Sequence, residues 1–375
     1  MKLIRTILLL PIILIIGIVV RVRNLLYDFN FIKSYSFEDH VKTISIGNLS
    51  VGGTGKTPHI EYVIRLLLPF FNDEASGQIA TLSRGYKRKS KGFVLGGRVS
   101  TAQDLGDEPA QFLKKFESVQ VAVDEKRPRG VRKLLNLFSN LKVVLLDDAY
   151  QHRRIKAGLS ILLTSYSKPY FDDHLFPVGR LREQAIGSAR ADIIIISKSP
   201  KFISPMEKRI MKEKLNLRPY QTLYFSYIDY GTPQAVFTQQ DALKEQIKIE
   251  GEELSVLMIT GIAEPYHLKE YLKEHCREVK HLRFRDHHNF TKSDVEKIEL
   301  EYEQIYRNKK IILTTEKDAM RLKDTNLQSS LLHLPVYFIP IYVRFNEKDT
   351  EALNTQILNY VREDKIDSEV YKRSN

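Results

Sequence analysis

Residues 44–58 read Ile44-Ser45-Ile46-Gly47-Asn48-Leu49-Ser50-Val51-Gly52-Gly53-Thr54-Gly55-Lys56-Thr57-Pro58. A β-branched run enters a glycine-rich turn, Lys56-Thr57 follows, and Pro58 opens a helical pattern over residues 59–68, where a missing N–H costs nothing. A strand, loop and helix of this kind form an anion site. Glycines let backbone N–H groups wrap phosphate, a lysine reaches the β and γ phosphates, and a hydroxyl at the positive helix end ligates Mg²⁺. Ser50, Val51, Gly52, Gly53, Thr54, Gly55, Lys56 and Thr57 are therefore the expected nucleotide-binding residues. The strict pattern has glycine where Ser50 stands, but Gly52, Gly53 and Gly55 keep the loop permissive.

Downstream, Leu141-Lys-Val-Val-Leu-Leu-Asp147-Asp148 ends an apolar run in two carboxylates. At the carboxyl end of a buried strand beside the loop, Asp147 or Asp148 would hold Mg²⁺ directly or through water. Similar apolar runs recur at 41–46, 79–82, 119–123, 143–146, 159–163 and 193–196, with helical patterns between them. Several are continuous rather than alternating, as strands covered on both faces are, which predicts an α/β fold with a doubly wound, mostly parallel sheet. We place this P-loop kinase core at residues 27–220. Alternating stretches from 221 to 250 predict a short β linker. A second rhythm follows, with strands at 256–260, 311–315 and 336–339 and helices at 266–275 and 293–306, and predicts a smaller C-terminal α/β domain over 251–375. Residues 362–375 are polar and expected to fray.

Composition narrows the setting. Across 375 residues, 43% hydrophobic and 28% charged is globular and excludes disordered or fibrous chains. A net charge of +12 favours an anionic partner. Cys276 stands alone, which excludes an internal disulfide and with it the disulfide-stapled secreted class. Residues 7–20 are uncharged and almost wholly aliphatic, bracketed by Lys2, Arg5, Arg21 and Arg23. A full span needs about twenty apolar residues, so this run predicts an uncleaved N-terminal anchor over 1–26, shallowly inserted or barely spanning.

Two nucleotide-enzyme classes are tested by absence. Ser197-Lys198-Ser199-Pro200 lacks the aspartate of the guanine-specific Asn/Thr-Lys-x-Asp signature, and Glu316-Lys317-Asp318 has the wrong spacing. The Leu-Ser-Gly-Gly-Gln signature of transporter ATPases is missing too. A phosphotransferase gains ground, and it needs a proton acceptor near the attacking hydroxyl. Gly106-Asp107-Glu108-Pro109 puts two acids in a turn before a helix, where a plain helix cap is the competing use. Asp286-His287-His288 lies in another loop before a helix. Ser83-Arg84-Gly85-Tyr86 opens a basic run to Arg98, while Gln151-His152 follows the Asp pair and Arg182-Glu183 forms a further loop.

In this order the blocks resemble the tetraacyldisaccharide 4′-kinases of lipid A biosynthesis. They are residues 47–58, Ser83-Arg-Gly-Tyr86, Gly106-Asp-Glu-Pro109, Asp147-Asp-Ala-Tyr-Gln-His152, Leu181-Arg-Glu183, Thr260-Gly-Ile-Ala263, Asp286-His287 and Thr315-Glu-Lys-Asp318. Ala149 replaces the usual Gly, and Arg180 and Gln184 stand where prolines normally flank Leu-Arg-Glu. The resemblance implies transfer of the γ-phosphate of ATP to the 4′-hydroxyl of a tetraacylated glucosamine disaccharide 1-phosphate. The product is the bis-phosphorylated lipid A precursor, lipid IVA. Carried over, Lys56 and Thr57 hold phosphate and Mg²⁺, with Asp147, Asp148 and Glu183 at the metal. Asp107 is the base, oriented by His287. Arg84, Tyr86, Glu108, Gln151, His152 and Arg182 contact nucleotide or acceptor. The implied setting is the cytoplasmic face of the inner membrane, with membrane lipids and the acylated disaccharide as partners, no nucleic acid and no obligate protein partner. A membrane-anchored P-loop ATPase or switch driving a protein partner explains the loop, the Asp pair and the anchor equally well. It leaves Gly106–Pro109 and Asp286-His287 without a use.

Overall fold

The computed structural model describes residues 2–71, 77–237, 247, 249, 253–323 and 327–362. The first strands run β1 Lys42–Asn48, β2 Ile79–Ser83, β3 Val94–Leu95, β4 Gln120–Val123, β5 Val143–Asp147, β6 Leu159–Ser165, β7 Ile193–Ser197 and β8 Thr222–Tyr230. After them come β9 Gln234–Ala235, β10 Ser255–Thr260, β11 Glu278–Arg283, β12 Lys310–Thr315, β13 Val336–Ile339 and β14 Ile341–Phe345. A nine-stranded sheet has the order β14-β8-β7-β6-β1-β5-β2-β4-β3, parallel except at its two edges, where β14 and β3 run antiparallel. A five-stranded sheet has the order β11-β10-β12-β13-β9, parallel except for β9.

Continuous apolar strands demand cover on both faces, and both are covered. On one side Ile44, Ile46, Val143, Leu145 and Ile161 pack against Ile60, Val63, Ile64 and Leu67 of the helix Lys56–Phe70. Those four recur at i, i+3, i+4 and i+7, a single helical stripe. On the other side Ala80, Leu82, Val144 and Leu146 meet Val131 and Leu134 of the helix Arg127–Leu137. The strand runs at 41–46, 79–82, 119–123, 143–146, 159–163 and 193–196 all fall on strands of this sheet.

The boundaries differ from the expected ones at two places. Thr222–Tyr230, expected in the linker, is a full strand of the large sheet beside β7. Ile341–Phe345 and the helix Glu347–Arg362, expected in the smaller domain, return to the large sheet, where Val343, Phe345, Leu353 and Ile357 join its core. The chain thus leaves the large sheet after Tyr230 and re-enters it past Pro340, and the two crossings are tied by Gly231 N–H donating to the Pro340 carbonyl at 2.9 Å. The last strand expected from sequence ends at residue 339; past Pro340, which cannot donate to a ladder, the chain forms a further strand, Ile341–Phe345, in the other sheet. Of residues 238–250 of the expected linker only Ile247 and Ile249 are described, and neither is a strand residue; residues 363–375 lie outside the described residues.

The N-terminal helix Lys2–Asp28 extends beyond the expected anchor. Gly17 is buried near Leu175, Asn24 Nδ2 donates to Glu183 Oε2 at 3.1 Å, and Arg153 Nη1 donates to the Asn24 carbonyl at 2.8 Å. Its other side leaves Ile12, Leu14, Ile15, Ile18, Val19, Val22 and Leu25 exposed. Among the described residues no helix is long and apolar enough to cross a membrane.

Candidate active site

Where the carboxyl ends of the large sheet's strands face the second sheet, residues of both enclose a cavity of about 810 Å³. The loop between β1 and the helix Lys56–Phe70 forms one wall. Gly52 and Gly55 have φ of 124° and 84°, a region that glycine enters without strain. Gly47 is required for another reason: a Cβ there would stand 2.6 Å from Tyr150 Cβ. The loop is braced on both sides, by Asn48 Nδ2 donating to Thr54 Oγ1 and by Ser197 Oγ donating to the Thr54 carbonyl, each at 2.8 Å. Loop and helix start together offer backbone N–H groups and the positive end of the helix dipole to an anion. Val51 through Thr57 line the cavity. Ser50 is buried beneath the loop, bridged to Leu181.

The two carboxylates after β5 sit in opposite electrostatic settings. Burial and the neighbouring Asp148 charge push Asp147 up to about 6. Burial works in the same direction on Asp148, yet Lys56 Nζ at 3.5 Å and Arg182 Nη1 at 3.0 Å hold it below the usual carboxylate range. Asp148 has φ of 46°, a turn that aspartate tolerates. Beneath them, buried Arg127 donates to the Asp124 carbonyl at 2.7 Å and the Asp147 carbonyl at 2.9 Å, which fixes the strand end. The Thr57 hydroxyl and the two carboxylates are hard oxygen donors on one wall, and Asp147 resists ionisation for want of a closer cation. That set suits Mg²⁺, which prefers one or two protein oxygens and completes its shell with water and phosphate. Among the described residues no group of three or more His, Cys, Asp or Glu forms a closed metal cage.

Glu183 does not join this set. It is fully buried and absent from the cavity wall, and its oxygens accept from Arg190 at 2.8 Å, Gln151 at 3.1 Å and Asn24 at 3.1 Å. Its carboxylate ties the 181–190 loop to the N-terminal helix, which corrects the expected metal-ligand role. Arg182 and Gln151 do face the cavity, with Gln151 Nε2 donating to the Asn48 carbonyl at 2.7 Å. His152 lines it too, and burial with the Arg127 and Arg84 charges pushes its pKa down to about 4, leaving a neutral imidazole at pH 7.

Loops of the second sheet and the segments between β2 and β4 of the large sheet together form the opposite wall. Asp107, the first residue of the helix Asp107–Lys115, accepts at Oδ2 from His287 Nδ1 at 2.9 Å and from Arg321 Nη2 at 2.6 Å. Burial opposes its charge, but these partners hold the Asp107 carboxyl well below the usual range. His287 and Arg321 line the cavity; Asp107 is not itself a lining residue and meets it through them. Glu108 lines it as well, paired with Lys317 Nζ at 2.6 Å. Arg84 and Tyr86 are exposed on the cavity rim, and the Tyr86 ring lies 5.6 Å from that of His287. A Cβ on Gly85, with φ of 73°, would press to 2.8 Å from the Leu105 carbonyl, so glycine permits this turn.

The profile of the tetraacyldisaccharide-1-P 4′-kinases matches residues 5–362. The chain belongs to this family. The tetraacyldisaccharide 4′-kinase of Bacteroides thetaiotaomicron is 44% identical over 371 residues, 97% of this chain and 96% of that protein. The protein of the same name from Flavobacterium johnsoniae is 44% identical over 97% of this chain and 99% of its own length. The crystal structure of LpxK from Aquifex aeolicus in complex with ATP superposes with a TM-score of 0.67 at 27% identity, covering 94% of this chain and 98% of that one.

Within this 4′-kinase framework several site residues escape sequence reasoning. Arg321 is one: it also holds Asp318 at 2.9 Å and the Gly261 carbonyl at 3.1 Å, yet only its place three residues after Asp318 hinted at a shared helix face. His59 is another. Fully buried behind the loop, it contacts the Gly55 carbonyl at 2.7 Å and Ser226 Oγ at 2.9 Å, and burial pushes its pKa down to about 4. Lys198 and Arg127 complete the group, both fixed by partners distant in sequence.

Proposed function

We propose that the protein is an ATP-dependent lipid kinase. It moves the γ-phosphate of ATP to the 4′-hydroxyl of a tetraacylated glucosamine disaccharide 1-phosphate and yields the bis-phosphorylated lipid A precursor. The observation that carries this reading is the meeting, in one cavity, of the residue 51–57 anion loop and His287, whose Nδ1 holds the Asp107 carboxylate. Family membership and the ATP complex of the Aquifex aeolicus relative support the donor and the acceptor.

The roles follow from the chemistry of phosphoryl transfer, which is mostly positioning and charge neutralisation. Loop N–H groups and Lys56 hold the β and γ phosphates. Thr57, Asp147 and Asp148 would hold Mg²⁺, which would neutralise phosphate charge there. The Asp107–His287 pair takes the proton of the 4′-hydroxyl as its oxygen bonds to phosphorus and the bond to the ADP oxygen breaks. Because the two groups share a hydrogen bond, the proton belongs to the pair. Arg321 orients Asp107 and keeps it ionised. Arg84, Tyr86, Glu108, Gln151, His152 and Arg182 grip the anionic acceptor and the phosphates. The exposed apolar side of the helix Lys2–Asp28 lies along the bilayer surface on the cytoplasmic face of the inner membrane, beside the loops that reach the acceptor. A partner-driven ATPase would have no use for a proton acceptor held opposite the phosphates.

The test is label transfer from γ-labelled ATP to the acylated disaccharide phosphate in detergent with Mg²⁺. Label in the lipid, lost in Lys56→Ala, is expected; free phosphate without labelled lipid would sink the reading.

A further inference from the structure

The block Thr315-Glu316-Lys317-Asp318 has no part in the mechanism above. Locally it starts a helix: the Asp318 N–H donates to Thr315 Oγ1 at 3.2 Å, the bond an N-cap accepts, and Glu316–Lys323 follows. The contacts of that helix with the helix Asp107–Lys115 run in reverse order, so the two lie antiparallel. Asp107 meets Arg321 at 2.6 Å, Glu108 meets Lys317 at 2.6 Å, and Lys115 meets Glu316 at 2.7 Å. At the third pair another helix joins, for Lys115 Nζ is also 2.7 Å from Glu61 of the helix Lys56–Phe70. Gln111 Nε2 donates to both acids, to Glu61 at 2.8 Å and to Glu316 at 3.2 Å, and Arg65 holds Glu61 at 3.1 Å. The side chains of Glu61 and Glu316 are only 1% and 10% exposed, so both carboxylates depend on these partners. Burial and the Glu61 charge push Glu316 up even with the lysine beside it.

We propose that Lys115 is a positioning residue for phosphoryl transfer, the pin that sets the phosphate-loop helix, the Asp107 helix and the Arg321 helix in one register. The proposal rests on the reading of Asp107 as proton acceptor and adds what fixes its distance from the phosphates. Lys115 does not line the cavity, so it acts through the helices it joins. Glu61 lies about one turn beyond Thr57, and Lys115 about two turns beyond Asp107. Arg321, which clamps Asp107, stands on the same short helix as Glu316. Hydrogen-bonded helices are stiff over such lengths, so fixing Glu61, Lys115 and Glu316 fixes the groups that meet the reactants. Transfer needs hydroxyl, base and phosphorus aligned, and a misplacement of about 1 Å caused far from the chemistry costs about a hundredfold. Two buried acids on one ammonium make a strong pin. With the cation they draw two helices onto the third; without it, like charges drive them apart.

The test sets steady-state kinetics of lipid phosphorylation beside ATP calorimetry in full-chain variants. Lys115→Met, which leaves Glu61 and Glu316 facing each other, is expected to lower kcat about 10- to 100-fold while the ATP dissociation constant and the lipid KM hold. Glu316→Gln removes the surplus acid and still accepts from Lys115, so it should keep the kcat of the unaltered chain. Added to Lys115→Met, it should restore most of the lost kcat. A residue that only holds the fold together would lower the denaturation midpoint and spare the kcat of the folded protein. Full kcat in folded Lys115→Met, an equal loss of ATP affinity, or a double variant no better than Lys115→Met would overturn the proposal. Should Lys115→Met fail to fold, Glu316→Ala decides, because there Lys115 keeps Glu61. A kcat about tenfold lower at unaltered ATP affinity is expected, and full kcat contradicts the pin. A failed lipid-kinase reading looks different, as unaltered chain that binds ATP and labels no lipid.

Discussion

The two walls of the cavity solve one electrostatic problem in opposite ways. On the phosphate wall, Asp147 is a buried carboxylate pushed up to about 6, with a like charge beside it. On the opposite wall, Asp107 already has its cation, for Arg321 and His287 hold it well below the usual range. The first wall is incomplete until a ligand brings positive charge; the second is complete in the protein alone. Binding and proton transfer are thereby separable: the phosphate wall answers to nucleotide, the second wall to the acceptor.

The largest effect should come from the second wall. Asp107→Asn and His287→Asn are each expected to lower kcat by about 10² to 10⁴, the usual worth of a positioned acid or base, with little further loss in the double mutant. Steady-state kinetics of the three variants check this, and additive losses would mean that the residues act separately. Arg321→Met comes next. Removing one partner from a buried ion pair costs about 3–5 kcal/mol, so a clear fall in chemical denaturation midpoint is expected. Freed of its clamp, Asp107 titrates higher, so the acid limb of kcat moves to higher pH; an unmoved limb would take Asp107 out of the protonation step.

The phosphate wall yields a pH effect of comparable size. Burial lowers His59 from the ordinary 6.5 to about 4, so the folded chain keeps it neutral while the unfolded chain takes up a proton in that window. Stability is full above pH 6.5 and falls as pH drops towards 4, by up to about 3 kcal/mol. His59→Gln should flatten urea-denaturation stability between pH 4.5 and 7; an unchanged slope would assign the dependence elsewhere. The smallest effect belongs to the rim. Lys317→Ala breaks a partly exposed pair with Glu108 and should cost about 1 kcal/mol or less, read in a thermal melt.

The same contrast governs what could be read from the sequence. The phosphate wall is local: residues 44–58 carry strand, loop and helix in one stretch, because glycine freedom and a following lysine act within a few positions. The acceptor wall is not. Asp107 and His287 stand out only as acids and histidines in loops, and the pairing that gives them meaning spans 180 residues. Arg321 reaches Asp107 across 214 residues, a contact that no periodicity announces. Glu183 fails in the opposite sense, since its neighbour Arg182 faces the cavity while its own carboxylate turns inward to Arg190. The sheet shows the same limit: Ile341–Phe345 joins β8 by a crossing that follows from Pro340 and Gly231 together, not from either segment alone.

The most direct measurement sets nucleotide binding beside lipid phosphorylation in Asp107→Asn and Lys56→Ala. Asp107→Asn should bind ATP as the unaltered chain does and transfer almost no phosphate, while Lys56→Ala should lose both. Wild-type transfer rates in Asp107→Asn, or loss of ATP binding in that variant, would contradict the division of labour between the two walls.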